Sequence, residues 1–133
     1  MQIEIDHLAL WTADLDRSRR FYMTYFGATS NELYHNPRTN FKSYFLTFPG
    51  KKVRLEIMSR PNIAERPIQE DGREMYGLAH FAVTLHTEQA VNEMTERMRA
   101  EGVAVVGNPR RTGDGCYESV VLDPDGNRLE LVA

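Results

Sequence analysis

The sequence predicts an α+β fold made of two copies of one module, in which a strand and a helix are followed by three more strands. Three observations support this prediction. A short apolar strand followed by an amphipathic helix occurs twice along the chain. Strand-like stretches follow each helix, separated by Gly and Pro turns. Landmark residues recur at nearly constant spacing, since His7 precedes His80 by 73 positions and Glu56 precedes Glu130 by 74.

The first module is predicted to occupy residues 1–58. Its opening strand spans residues 3–12, with leucines and polar residues alternating between the two faces. Asp14 has the side chain of a helix N-cap, and the helix is expected to run to Phe26 and to end at Gly27. The remaining strands are predicted over residues 28–34, 41–48 and 52–58.

The second module, residues 78–133, repeats this order after a polar connector over residues 59–77. Its opening strand and its helix, which Thr87 caps, are followed by a turn at Gly102. The closing strands are predicted over residues 103–106, 116–122 and 128–132. Two interpretations stay open for residues 108–117: a mobile loop beside the site, or a plain hairpin. Residues 1–133 are expected to form a single domain.

Composition excludes several functional classes. The chain has 133 residues, 41% hydrophobic and 26% charged, as is ordinary for a globular protein. The net charge of -3 argues against a nucleic-acid partner, which usually requires a basic face. No apolar stretch approaches the ~20 residues of a membrane span, and no leader sequence is evident at the start. The lone Cys116 excludes an internal disulfide, so we expect a cytoplasmic location.

Alternation along the strands places four metal-ligand types on one side of the sheets. In the last strand Leu129 and Leu131 are expected to face a helix, so Glu130 faces away. The same argument applies to the other members of the set, which are His7, Glu56 and His80. A sheet curled around that side gathers two imidazoles and two carboxylates. This donor set suits one divalent transition metal, namely Zn, Ni, Co, Mn or Fe.

Motifs along the whole chain resemble those of a known family. They are HLAL at residues 7–10, SxxFYxxxFG at 18–27, GLAHFAV at 77–83 and DPDGNRLEL at 123–131. On these residues the chain resembles the vicinal oxygen chelate superfamily, which includes glyoxalase I, extradiol dioxygenases and bleomycin-resistance proteins. The resemblance implies paired βαβββ modules that form a cupped, open barrel around one metal. It also implies a small-molecule substrate and a homodimer.

The ligand quartet His7, Glu56, His80 and Glu130 is most similar to that of bacterial glyoxalase I-like proteins. This resemblance implies a metal-dependent lyase or isomerase that transfers a proton through an enediolate. Glu130 would be the catalytic base, and Glu56 would be a ligand and possible second base. Trp11 stands where glyoxalase I usually has an arginine that helps hold the carboxylate of glutathione. An indole cannot form that bidentate pair, so glutathione dependence is not expected.

Other residues are candidates for substrate contact. Arg54 and Arg128 share the predicted site face and suit a substrate carboxylate or phosphate, although a salt bridge at a strand end is the favoured alternative. Trp11, Tyr44 and Met58 are candidates for an apolar wall, although a core position is the favoured alternative for the last two. Cys116 is interpreted as an inert small side chain.

Three other functions remain open at this point. A ring-cleaving Fe(II) extradiol dioxygenase requires two His and one carboxylate. A thiol transferase of the fosfomycin-resistance type has no use for Glu56. A non-enzymatic drug-binding protein has no use for a complete ligand set. The quartet therefore favours the glyoxalase-type enzyme over the last two.

Overall fold

A computed structural model describes residues 1–50, 52–67 and 74–133. The chain divides into two compact units, Met1–Arg66 and Pro67–Ala133. Each unit holds one helix and one mixed sheet, which confirms the predicted α+β fold class. The predicted connector over residues 59–77 lies partly outside the described residues, because the described ranges do not include 68–73.

The first unit contains a five-stranded sheet. Its elements are β1 (His7–Trp11), α1 (Leu15–Phe26), β2 (Thr29–Ser30), β3 (Tyr34–Asn36), β4 (Phe41–Thr47) and β5 (Arg54–Ser59). The strand order is β1-β5-β4-β2, with β3 also paired to β4. Strand β1 runs parallel to β5, whereas the other pairs are antiparallel. This parallel pair becomes important because it carries the candidate site residues.

Helix α1 begins and ends as the sequence predicts. The carboxylate of Asp14 accepts a hydrogen bond from the backbone N–H of Arg17 at 3.0 Å, and Gly27 ends the helix in the left-handed conformation. Tyr22, Leu46 and Ile57 are completely buried between this helix and the sheet. The helix therefore covers one face of the sheet and leaves the other face for the site.

The second unit contains a four-stranded sheet with order β6-β9-β8-β7. Its elements are β6 (His80–Thr84), α2 (Glu88–Ala100), β7 (Val105–Arg111), β8 (Tyr117–Leu122) and β9 (Arg128–Val132). Thr87 caps α2 by accepting a hydrogen bond from the backbone N–H of Ala90 at 3.1 Å. Met98, Leu129 and Leu131 are completely buried beneath the helix.

Strand register confirms the internal repeat. In the first unit His7 pairs with Arg54 across the parallel strands, and in the second unit His80 pairs with Arg128. A backbone hydrogen bond just beyond the end of each parallel strand pair also repeats. The backbone N–H of Thr12 donates to Met58 at 2.8 Å, and that of Leu85 donates to Val132 at 2.7 Å.

The structure corrects the ends of several predicted strands. Strand β1 begins at His7 rather than at residue 3, and Ile3 and Ile5 are exposed, because β5 starts at Arg54 and offers no partner further back. The strand predicted over residues 28–34 is broken into β2 and β3.

The interpretation of residues 108–117 as a loop is wrong for its first part. Strand β7 continues to Arg111 and pairs with β8, so the segment is a hairpin with a short turn after Arg111. Pro109 fits within this strand because the register shifts between Gly107 and Arg110. Among the described residues, neither helix has the length and apolar character needed to cross a membrane.

Candidate functional site

The first unit brings His7 and Glu56 together. Leu55 and Ile57 point into the core beneath α1, so Glu56 between them points to the opposite face of the sheet. Arg54 is two positions before Glu56 on β5 and faces the same side. His7 pairs in register with Arg54 on the adjacent strand, so it lies on that face too. Its Nε2 atom is 3.7 Å from Oε1 of Glu56. We call these two residues the first His–Glu pair.

The second unit repeats this arrangement with His80 and Glu130. Leu129 and Leu131 are buried beneath α2, which turns Glu130 to the other face. The Nε2 atom of His80 is 3.2 Å from Oε1 of Glu130. The Glu130 side chain is only 22% exposed, so its carboxylate lies within the sheet surface rather than in open solvent. We call these residues the second His–Glu pair.

The donor atoms of each pair are spaced as two ligands of one ion would be. Ligand atoms about 2.0–2.2 Å from a metal lie roughly 3.0–3.5 Å apart at octahedral or tetrahedral angles. The 3.2 Å separation in the second pair fits this spacing, and the 3.7 Å separation in the first pair is slightly longer. In residues 1–50, 52–67 and 74–133, no three metal-ligating side chains cluster closely enough to hold an ion. Each pair by itself offers two potential ligands.

Asp6 orients the first imidazole, a role that the sequence analysis missed. Its Oδ2 atom is 2.7 Å from Nδ1 of His7 and 2.7 Å from a guanidinium nitrogen of Arg54. These hydrogen bonds, together with the Arg54 charge, hold the pKa of Asp6 below its usual range. A proton on Nδ1 leaves the Nε2 lone pair directed at Glu56, as a metal ligand requires. The sequence analysis placed Asp6 inside a strand over residues 3–12, where alternation turns it away from His7, whereas the observed strand begins only at His7.

Glu118 is the second residue that the sequence analysis missed. It lies on β8 next to β9, where its carboxylate is a negative neighbour of Glu130. Burial is the largest cause that raises the pKa of Glu130, and the neighbouring Glu118 raises it further, whereas His80 and Arg110 act in the opposite direction. Alternation along β8 contained the signal, since Ser119 and Val121 are buried and leave Glu118 on the site face.

The predicted substrate-contacting residues have different surroundings. Arg54 is held by Asp6, and its guanidinium lies 4.4 Å from the ring centroid of Phe45. Arg128 lies opposite His80 in the strand register and is exposed. Trp11 is 38% exposed and packs edge-on against Phe41. Arg54 is therefore already engaged by a carboxylate, in agreement with the salt-bridge alternative.

Tyr44 lies on the helix side of the sheet and not on the site face, so the favoured core position is confirmed and the apolar wall is excluded for this residue. It pairs in register with Ile57, which is buried beneath α1. The guanidinium of Arg19, on the helix, lies 4.8 Å from the Tyr44 ring centroid. The alternative, in which Tyr44 packs between sheet and helix, agrees with both observations. Met58 pairs with Trp11 in the register of β1 and β5, so it does lie on the site face.

Comparison with known proteins gives relatives over the whole chain. A Bacillus subtilis (strain 168) protein described as "Uncharacterized protein YqjT" is 31% identical over 132 residues, covering 96% of both chains. Catechol-2,3-dioxygenase of the same organism is 27% identical over 129 residues, which are 97% of this chain and 41% of that protein. The crystal structure of glyoxalase I from Zea mays superposes with a TM-score of 0.77 at 22% identity, covering 97% of this chain and 44% of the maize chain.

This chain thus spans less than half the length of the dioxygenase and of the maize enzyme. The maize likeness establishes the fold alone, because the sequence identity is low. The family model named Glyoxalase/Bleomycin resistance protein/Dioxygenase superfamily matches residues 4–131. Since this match covers nearly the whole sequence, the chain belongs to the glyoxalase/bleomycin resistance protein/dioxygenase superfamily.

Proposed function

We propose that the chain is a metal-dependent lyase or isomerase of the glyoxalase I type, acting on a small molecule. The supporting observation is the repeated His–Glu pair, with donor atoms 3.7 Å apart in one unit and 3.2 Å apart in the other. His7, Glu56, His80 and Glu130 would hold one divalent transition metal, namely Zn, Ni, Co, Mn or Fe. In this proposal residues 1–133 work as one domain, and a homodimer is the expected assembly.

The chemistry proposed is proton transfer between two neighbouring carbons of the substrate. When bound, the divalent ion supplies Lewis-acid stabilisation of negative charge on substrate oxygen. Glu130 takes the proton from one carbon and returns it to the next, with Glu56 as the second candidate base. The burial and the Glu118 contact that raise the pKa of Glu130 make it a better proton acceptor than an ordinary exposed carboxylate.

The test is the replacement Glu130→Gln, which keeps the size of the side chain and removes its basicity. Hemithioacetals of 2-oxoaldehydes with several thiols serve as substrates for protein loaded with each metal in turn. We expect turnover to fall at least a hundredfold, as loss of a general base does, while part of the bound metal is retained. Glu96→Gln, on the exposed surface of α2, is the matched control.

Two results would contradict the proposal. Full turnover by Glu130→Gln protein removes Glu130 as the base. Failure of the native protein to bind any of the five metals, measured by elemental analysis after dialysis, removes the metal-dependent reaction as a whole.

A ring-cleaving dioxygenase is the second candidate, favoured by the 27% identity to catechol-2,3-dioxygenase. In this function His7, His80 and Glu130 would hold Fe(II), and Glu56 would be dispensable. Oxygen consumption by Fe(II)-loaded protein in the presence of catechols distinguishes the two candidates. Glu56→Gln protein should keep this activity if the dioxygenase assignment is right and lose metal affinity if the lyase assignment is right.

A further inference from the structure

Three aromatic side chains form a patch on the site face of the first sheet. The aromatic patch consists of Trp11, Phe41 and Tyr34. Trp11 projects to the same side as His7, four positions earlier on β1. Tyr34 pairs in register with Ser43, and Phe41 is two positions from Ser43 on β4, so these two rings share a face. Ser43 in turn pairs with Met58, which is opposite Trp11.

The rings are in contact with one another and still open to solvent. Trp11 and Phe41 meet edge to face with ring centroids 6.2 Å apart, and the Tyr34 and Phe41 centroids are 6.1 Å apart. Trp11 is 38% exposed and Tyr34 is 54% exposed. A group of adjacent exposed rings is uncommon on a protein surface unless it binds something, because exposing large apolar area to water is unfavourable.

A cation lies against the same patch. The guanidinium carbon of Arg60 is 4.8 Å from the Trp11 ring centroid. Among the described residues, no carboxylate lies within ion-pair distance of this guanidinium. Arg54 differs in this respect, because Asp6 already neutralises its charge. Within the described part of the chain, Arg60 is therefore the arginine beside these rings whose charge no carboxylate offsets.

We infer that the aromatic patch and Arg60 bind the aryl and carboxylate groups of an elongated aromatic acid, which is the substrate class of the proposed enzyme. This inference rests on the proposed function for the reacting end of the molecule. At about 3.3 Å per strand residue, Trp11 lies roughly 13 Å along β1 from His7. The substrate must therefore reach from the His–Glu donors to an aryl group held at the patch.

The test uses the fluorescence of Trp11, the only tryptophan of the chain, so the signal reports directly on the patch. Metal-free full-length protein is titrated with 3-phenylpropanoate, with 3-cyclohexylpropanoate as the aliphatic acid of the same charge, and with 3-phenylpropanamide as the neutral aryl compound. We expect the aryl acid to bind three- to tenfold more tightly than the aliphatic acid, the usual range for aromatic packing (about 0.5–1.5 kcal/mol).

Two variants separate the roles of ring and charge. Tyr34→Ala should weaken binding of the aryl acid about threefold or more, and Arg60→Gln should weaken binding of the acid but not of the amide. Tyr76→Ala removes an exposed aromatic ring in the other unit and serves as the control. Thermal unfolding of each variant verifies that it is folded.

Equal affinity for the aryl and cyclohexyl acids, or no fluorescence response to either, would overturn the inference. Because these titrations need no metal, they are independent of the proposed reaction. If aryl acids bind but Glu130→Gln protein keeps full turnover, the proposed base is wrong, whereas the inferred binding of aryl acids at the aromatic patch is supported. If aryl acids fail to bind while turnover depends on Glu130, only the substrate class is wrong.

Discussion

Glu118 and Glu130 lie on the same face of the neighbouring antiparallel strands β8 and β9, and Glu118 adds to the burial that raises the pKa of Glu130. A negative neighbour disfavours ionisation of Glu130, because two like charges repel each other. Burial of Glu130 favours its neutral form in the same direction. In the metal-free protein Glu130 therefore keeps its proton to a higher pH than an ordinary glutamate does.

This relationship predicts that the metal-free protein loses stability as the pH rises. The pKa of Glu130 is raised in the folded state, so between the ordinary glutamate value and this raised value the folded chain binds more protons than the unfolded chain. The free energy of unfolding contributed by this group is then fully present at low pH and decreases as the pH rises through the folded pKa. Glu118→Gln should reduce this decrease, because it removes the negative neighbour.

Urea unfolding in the presence of a chelator, repeated from about pH 4 to about pH 8, measures the effect. Glu93→Gln on α2 is the control, since its carboxylate accepts a hydrogen bond from the exposed Gln89 on the same helix. The same pH slope in native and Glu118→Gln protein would show that Glu118 does not influence Glu130.

Asp6→Ala is expected to weaken metal binding about tenfold or more. The carboxylate holds Nδ1 of His7 at 2.7 Å and so fixes the ring with Nε2 toward Glu56. Asp6→Asn should have a smaller effect, because its amide oxygen still accepts the hydrogen bond. Competition with a chelator of known affinity gives the dissociation constants, with Asp16→Asn on α1 as the control. Equal affinity in Asp6→Ala and native protein would mean that His7 needs no orienting partner or is not a ligand.

Metal stoichiometry tests whether the two His–Glu pairs serve one ion. We expect one divalent ion per chain, because each pair alone offers too few donors for a stable site. His7→Ala and His80→Ala should therefore each remove most of the bound metal. Elemental analysis against protein concentration gives the ratio. Two ions per chain, or one ion retained in each single variant, would contradict a shared site.

The sequence predicted the elements and faces that depend on regular alternation. Glu56 and Glu130 each lie between two buried aliphatic residues, and this local pattern is enough to place them opposite a helix. The cap at Asp14 and the stop at Gly27 were equally visible, because their backbone chemistry is local. The second unit agrees with its predicted order of elements for the same reason.

Features that depend on a neighbouring strand were not predictable in this way. The position of Tyr44 was left between two alternatives because its face depends on pairing with Ile57. Asp6 lies outside any strand, and its contact with His7 depends on a side-chain rotamer rather than on periodicity. Alternation along β8 was enough to place Glu118 on the site face, but its position next to Glu130 depends on the register between β8 and β9. The strand to Arg111 was hidden by Pro109, a residue that usually argues against a strand.

The end of α1 allows a final prediction with a control close by in the same unit. Gly27 has φ of 63°, a conformation that L residues with a Cβ disfavour. An added Cβ would lie 3.6 Å from Cγ of Pro49, which is an ordinary contact, so the cost is conformational and not steric. Gly27→Ala should therefore lower the free energy of unfolding by about 1–2 kcal/mol. Gly50→Ala is the matched control, because a Cβ there meets open space, and it should be neutral or slightly stabilising. Urea unfolding of both variants measures the difference, and equal effects would show that the left-handed cap does not contribute to the stability of this unit.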